Sequence, residues 1–324
     1  MSRKVRWGIL STANIGRKRV VPAIQESGNG QVEAVASREV GKARAFAAEL
    51  NIPKAYGSYE ELIDDPNIDA IYNPLPNHLH AEWSIRCAEA GKPVLCEKPL
   101  ASDAAEAQRM VDAFAERGVL LAEAFMYRFH PQTQRVKMMI QEGALGEVQL
   151  IESSFTFRIT NDDNIRLRKD MAGGGLMDVG CYCVNVMRFL TDEEPEQVGA
   201  LAHFGGRSGV DEWLVGMLSF PSGILGHFDC GLRSAFKNSY DVRGTAGRVL
   251  VEAAFVPDMV SGTILRYWHE DQYEEIKVGP ANHYQIMVED FAGALLDARP
   301  PRFPAQDGVH NMQVIDRLLA SLRG

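Results

Sequence analysis

Short apolar runs and amphipathic stretches alternate along the first part of the chain. Val5–Leu10 reads as a strand, and so do 32–36, 69–72, Val94–Cys96 and 118–123, each a brief apolar run of the kind buried inside a parallel sheet. Between them lie helical stretches with recognisable ends. Ser58-Tyr59-Glu60-Glu61 has the Ser-x-x-Glu form that starts a helix. The segment from about 80 to 90 stops at Gly91, with Lys92-Pro93 behind it. Ser102 is expected to cap a helix running to about Arg117, and Pro22 either opens or kinks the helix after the first strand. This alternation specifies an α/β domain with a doubly wound parallel sheet over residues 1–124.

From Gly146 the pattern changes. Strand candidates at 147–158, 197–204, 210–220, 224–232, 238–243, 248–252 and 262–269 follow one another closely, and Pro221-Ser222-Gly223 is a hairpin signal. Residues 125–324 are therefore expected to form an α+β domain with a large open, mainly antiparallel sheet. Helices cover one face of such a sheet. The other face is expected to join a second copy, giving a homodimer or homotetramer.

In an open α/β sheet, ligands bind beyond the carboxyl ends of the strands. Ser11-Thr12-Ala13-Asn14-Ile15-Gly16 follows the first strand, where a dinucleotide fold turns backbone N–H groups toward a pyrophosphate. Against G-x-G-x-x-G, the first two glycines are Ser11 and Ala13. The second strand ends in Ser37-Arg38, with Lys42 and Arg44 beyond. A hydroxyl and a guanidinium in place of the usual acid suit a 2′-phosphate, which favours NADP over NAD. Asn73-Pro74-Leu75-Pro76-Asn77-His78 is a turn stiffened by two prolines, a flat wall for a nicotinamide or ribose. Val94–Cys96 then runs into Glu97-Lys98-Pro99, placing Lys98 at the edge where a cofactor would lie.

A second constellation is Gly173-Gly174-Gly175-Leu176-Met177-Asp178-Val179-Gly180-Cys181-Tyr182-Cys183-Val184-Asn185. Asp178 and Tyr182 are four apart and share a helix face, and the glycines allow a close approach at the helix start. The polar pair is either chemical or a buried hydrogen bond that orders the core.

Composition narrows the classes. The chain has 324 residues, 46% of them hydrophobic, enough for two cored domains. A net charge of −9 gives no general attraction to nucleic acid or to an anionic membrane. No run of 18 apolar residues occurs and no long apolar leader follows Met1, so a cytoplasmic protein is expected. Cys87, Cys96, Cys181, Cys183 and Cys230 match no metal spacing and read as small buried hydrophobes. His78 and His80 are two apart, the wrong spacing for two ligands on one helix face, so no metal is expected.

With Glu97-Lys98-Pro99 and the Gly-Gly-Gly-x-x-Asp-x-Gly-x-Tyr run in this order, the chain resembles the Gfo/Idh/MocA family of oxidoreductases over its full length. Many inositol and amino-sugar members carry histidine where this chain has Tyr182. That tyrosine, Cys183-Val184-Asn185 and Glu123-Ala124-Phe125-Met126-Tyr127-Arg128-Phe129-His130-Pro131 resemble the branch of aldose (xylose, glucose) dehydrogenases, dimeric dihydrodiol dehydrogenases and glucose–fructose oxidoreductase. The resemblance implies a nicotinamide cofactor touched by Ser11, Thr12, Ala13, Asn14, Ile15, Ser37, Arg38, Pro74, Leu75, Asn77, His78, Glu97 and Lys98. It also implies a Lys98–Tyr182 catalytic pair and a small sugar or polyol-like substrate. Arg128, Phe157, Arg158, Arg166 and Tyr284 are the substrate-side candidates, although a solvated basic loop accounts for at least two of Arg166, Arg168 and Lys169.

The chemistry agrees with this assignment. Removing hydride from a carbinol carbon requires a base for the hydroxyl proton, and a tyrosine of pKa about 10 is too weakly ionised at neutral pH. An ammonium ~4 Å away at an effective dielectric of ~20 is worth ~4 kcal/mol, roughly three pKa units, with desolvation opposing it. Tyr182 is expected to be the acid/base, Lys98 to tune it and orient the substrate oxygen, and Asp178 to position substrate hydroxyls. The expected activity is aldose 1-dehydrogenation. The alternatives are a trans-dihydrodiol dehydrogenase or a dicarbonyl or keto-sugar reductase. A further alternative of another class is a non-catalytic NADP(H) sensor, which has no need of Lys98, Asp178 and Tyr182 together.

Overall fold

In the computed structural model, which describes residues 3–322, the early apolar runs form a six-stranded parallel sheet. Its strands are β1 (Val5–Leu10), β2 (Gly30–Ala36), β3 (Lys54–Tyr56), β4 (Ala70–Asn73), β5 (Val94–Cys96) and β6 (Leu121–Glu123), in the order β3-β2-β1-β4-β5-β6. Trp7, Ile9 and Leu10 of β1 and all of β4 and β5 are buried, as a sheet covered on both faces requires. The strand order reverses between β1 and β4, the point at which a doubly wound sheet opens a ligand crevice.

The crossovers carry α1 (Val21–Glu26), α2 (Val40–Glu49), α3 (Tyr59–Ile63), α4 (His80–Glu89) and α5 (Ala104–Arg117). A π-helical turn, Gly16–Val20, runs directly into α1 with Val20 itself helical (φ −78°, ψ −40°), so Pro22 lies inside a continuing helix and does not open it. Of the two roles, the interrupted hydrogen bonding of a kink is the one the chain adopts. Ser58 caps α3 by accepting from the Glu61 N–H. The cap of α5 is Asp103, one residue beyond the Ser102 expected. Asp103 Oδ1 accepts from the Glu106 N–H at 2.7 Å, while the Ser102 N–H donates to the Glu106 carboxylate at 3.2 Å. Asp and Ser cap equally well, and here the acid is the one in register with Glu106.

Two compact units divide the chain differently from a single cut at 124: the first takes residues up to Phe125 and also Tyr284–Val309. That return segment includes most of α8 (His283–Leu296), whose Phe291 ring lies 5.4 Å from Trp7. The second unit takes Met126–His283 and the residues from His310 onward. It contains α6 (Pro131–Gln141), α7 (Cys181–Thr191) and most of α9 (Gln306–Ser321).

The sheet of the second unit has eight strands: β7 (Val148–Arg158), β8 (Gln197–Phe204), β9 (Asp211–Ser219), β10 (Leu225–Gly231), β11 (Arg233–Gly244), β12 (Gly247–Val251), β13 (Thr263–His269) and β14 (Gln272–Val278). Their order is β14-β13-β12-β11-β7-β10-β9-β8, antiparallel throughout except between β7 and β10. The sequence reading missed β14, an exposed edge strand whose Gln-Tyr-Glu-Glu-Ile-Lys-Val run lacks a buried face. Helix α7 packs on β7 and β10. On the opposite face, Leu201 pairs with Val215 and Met217 with Gly199, and Leu201 and Met217 are 79% and 60% exposed.

Candidate active site

In the first unit, the candidate groups stand where strands end. β1 runs into Ser11, whose φ of 84° is the left-handed conformation that glycine adopts freely. The turn persists without the glycine because the Ser11 N–H is held by Ala36 O at 2.9 Å. At the end of β2, Ser37 is buried and its N–H donates to Tyr56 O at 3.2 Å, while Arg38 is exposed and leans toward the Tyr59 hydroxyl. The nearby acid, Glu39, is paired with Lys42 at 2.5 Å. A hydroxyl and an exposed guanidinium at this strand end fit a 2′-phosphorylated dinucleotide.

The stiff turn after β4 is fixed from both sides. Asn73 accepts from the Leu75 N–H at 3.2 Å and donates to His80 O and Ser84 Oγ at 3.3 and 2.9 Å. His80, entirely buried, lies with Nδ1 2.8 Å from Pro99 O and Nε2 2.7 Å from Leu75 O. It thus links the wall carrying Pro74, Leu75, Asn77 and His78 to the residue after Lys98. Burial holds its pKa down to about 4, so at neutral pH the ring carries one N–H and donates to only one of the two carbonyls. The sequence reading weighed His80 only as a metal ligand; among the described residues no group of three or more His, Cys, Asp or Glu could hold a metal.

Glu97 accepts from the Tyr72 hydroxyl at 2.6 Å, and burial, reinforced by that carboxylate, pushes the Tyr72 phenol far above its usual range. Lys98 follows, half-buried. Tyr284, expected on the substrate side, opens the return segment of this same unit. Its phenol is pushed up by burial and by the charge of Glu97.

In the second unit, Tyr182 is the second residue of α7 and is almost wholly buried. Phe155, Phe255 and Tyr127 surround its ring at centroid distances of 5.4, 5.3 and 5.9 Å, and its hydroxyl lies 3.5 Å from Met126 Sδ. Tyr127 donates to Asn185 Oδ1 at 2.6 Å, so one turn of α7 is tied to the chain that supplies the cage. Asp178 sits in a π-helical turn, Leu176–Gly180, that leads into α7. The spacing of four is therefore not the continuous α-helical one the sequence suggested. Its carboxylate receives Arg166 Nε at 2.8 Å.

The remaining substrate-side candidates separate. Arg166 is 43% exposed on the Asp178 side, whereas Arg128 lies in the turn Met126–Phe129 and is 2% exposed. Phe157 alternates with Phe155 on the β7 face that meets α7, and Arg158 points the other way and is exposed. Arg168 pairs with Asp170 at 2.6 Å, in keeping with a solvated basic loop.

What the glycine run approaches is part of the same unit. A Cβ on Gly173 would strike the carbonyls of Arg166 and Arg168, and one on Gly174, at φ 127°, would land on Asp211 Oδ1. The sequence reading had no sign of Asp211 or Phe255, which come from a strand start and a loop far along the chain. Tyr127 and Asn185 were in view, inside the runs that carried the family resemblance.

Comparison with known proteins follows the same division. An oxidoreductase family with an NAD-binding Rossmann fold matches residues 5–125, and the GFO/IDH/MocA C-terminal domain matches 133–250. D-xylose 1-dehydrogenase (NADP(+)) 2 of Haloferax volcanii is 40% identical over 316 residues, covering 97% of this chain and 96% of that one. The trans-1,2-dihydrobenzene-1,2-diol dehydrogenase of Mus musculus is 35% identical over 255 residues, 78% of this chain and 76% of that one. The crystal structure of KijD10, a 3-ketoreductase from Actinomadura kijaniata in complex with NADP and TDP-benzene, superposes with a TM-score of 0.94 at 30% identity, covering 98% of each chain.

Proposed function

The chain belongs to the Gfo/Idh/MocA family of oxidoreductases, and we propose that it is an NADP-linked aldose 1-dehydrogenase. The observation that carries this reading is Tyr182: a phenol caged by Phe155, Phe255 and Tyr127, with Asp178 and its Arg166 partner in the turn just before it. A bound nicotinamide dinucleotide supplies the hydride acceptor.

The residues of the chain do the rest. The turn Ser11 to Ile15 offers backbone to a pyrophosphate, and Ser37 and Arg38 receive the 2′-phosphate. The wall formed by Pro74, Leu75, Asn77 and His78 backs the nicotinamide. Tyr182 takes the proton of the substrate hydroxyl, and the ammonium of Lys98 favours the ionised form of the phenol. Asp178, oriented by Arg166, accepts from a neighbouring sugar hydroxyl. A sensor reading leaves this combination of Lys98, Asp178 and Tyr182 without a purpose.

A second reading is oxidation of a trans-dihydrodiol or reduction of a keto-sugar: the apolar rings around Tyr182 favour the dihydrodiol, whereas the Arg166–Asp178 pair favours a polyhydroxylated ring. We further propose that a second copy covers the outer face of the large sheet, where Leu201, Trp213, Val215 and Met217 stand exposed on neighbouring strands. A cytoplasmic setting is in keeping with five buried cysteines that form no disulfide among the described residues.

The test is absorbance at the nicotinamide band with NADP⁺ and, separately, NAD⁺ against aldoses, inositols and dihydrodiols. Reduction of NADP⁺ by an aldose supports the proposal. Reduction only by dihydrodiols, or oxidation of NADPH only by a keto-sugar, moves the assignment to the second reading.

A further inference from the structure

The helix that carries Tyr182 begins on a carboxylate supplied by a distant strand. Asp211, the first residue of β9, is 4% exposed, and its Oδ2 accepts from the Leu176 N–H at 2.6 Å. The Gly175 N–H also bears on this carboxylate, and Gly174 lies against Oδ1 so closely that no side chain fits there. The carboxylate thus meets backbone N–H groups that a helix start leaves without intrahelical partners, two and three residues before Asp178. It does so across 35 residues of sequence.

We infer that Asp211 is a positioning residue for the reaction, its ionised carboxylate clamping the turn that aims Asp178 and Tyr182. The inference rests on the assignment of Tyr182 and Asp178 above. It explains why three consecutive glycines precede the helix: they let the backbone close onto a buried acid. It also accounts for an acid buried with amide partners but no paired cation. Burial pushes its carboxyl up to about 6, against the pull of the Leu176 and Gly175 amides.

The titratable groups around it are few. From β10 comes the Cys230 thiol, itself pushed up by burial and next by the charge of Asp211. From the helix turn comes Asp178, bound to Arg166. Glu212, the next residue on the strand, is engaged by Ser208 Oγ at 2.9 Å and Arg233 at 3.5 Å. From β8, Phe204 stands opposite in the ladder and does not titrate. A carboxylate offers lone pairs on both oxygens to the two N–H groups. Protonation removes the charge that strengthens these bonds and turns one oxygen into a donor, so the clamp loosens on the acid side.

The experiment compares the protein with Asp211→Asn, which keeps one acceptor and cannot ionise. Turnover is followed from pH 5 to 8.5, alongside amide hydrogen exchange of residues 174–182 at matched pH. For the unaltered protein, kcat should fall tenfold or more below about pH 6. Asp211→Asn should show kcat lowered tenfold or more at pH 7.5 with only the acid limb of Tyr182 remaining, unchanged NADP(H) affinity, and Leu176 exchange at least about tenfold faster at pH 7.5. A kcat at pH 7.5 equal to that of the unaltered protein, or equal exchange in the two proteins, overturns the inference. Exchange does not depend on turnover: if Leu176 is deprotected as expected while Tyr182→Phe stays active, the clamp stands and the Tyr182 assignment falls.

Discussion

In the six-stranded sheet both faces are buried, and the candidate groups sit at strand ends, held mainly by backbone: Ser11 by Ala36 O, Ser37 by Tyr56 O, and the Leu75 wall by Asn73. In the eight-stranded sheet one face is open, and the candidate groups lie on a helix laid across the other, held by side chains from β7, β9 and the loop with Phe255. The first arrangement tolerates substitution in its signature, since Ser11 makes the turn expected of glycine. The second does not, since Gly173 and Gly174 leave no room for a Cβ. The proposed binding groups are thus held by main chain and the proposed acid/base group by packing, and the two should respond differently to mutation.

The largest expected effect comes from removing the one charge that the first unit contributes to the proposed chemistry. Lys98→Met should lower kcat/KM by about a thousandfold, because the phenol then lacks the cation proposed to favour its ionised form. Melting of the protein should change little, as calorimetry would show.

Next comes the cage. Phe255 is fully buried against Tyr182, Tyr127 and Phe155, so Phe255→Ala should cost about 3–5 kcal/mol in denaturant unfolding. It should reduce kcat before it alters NADP(H) affinity.

Asp211 sharpens the contrast between stability and placement. Its folded-state pKa of about 6 lies above the ordinary 3.8, so the folded form binds the proton more tightly and stability falls as pH rises from about 4 through 6. Relative to the native residue, Asp211→Asn should gain stability at pH 7.5, by at most about 3 kcal/mol, with the gain gone near pH 4. A gain that does not vary with pH would contradict the buried carboxylate. The smallest effect is at Ser11: Ser11→Gly relieves a φ of 84° and should change unfolding free energy by no more than about 1 kcal/mol, seen as a shift in Tm.

The contrast also explains what the sequence made legible. Strand ends, the switch between β1 and β4, and Lys98 follow from local patterns, because a parallel strand and its loop are contiguous in the chain. The same holds for the Ser58 cap. Around Tyr182 the determinants are distant in sequence: Asp211 lies 35 residues from the amide it holds, and Phe255 is further still. Neither leaves a periodic trace. The π-helical turn at Leu176–Gly180 was equally invisible, since nothing in Asp178-x-x-x-Tyr182 distinguishes it from an α-turn. Asp103 displaced Ser102 as a cap because two acceptable residues were adjacent and only register with Glu106 decides.

The central claim is that Tyr182 moves the proton while the first unit alone holds the cofactor. Tyr182→Phe, assayed with NADP⁺ and the best aldose and titrated with NADPH by fluorescence, tests both halves at once. The account predicts a kcat lowered by roughly 10²–10⁴-fold with the NADPH dissociation constant unchanged. Near-normal turnover with weakened NADPH binding would contradict it.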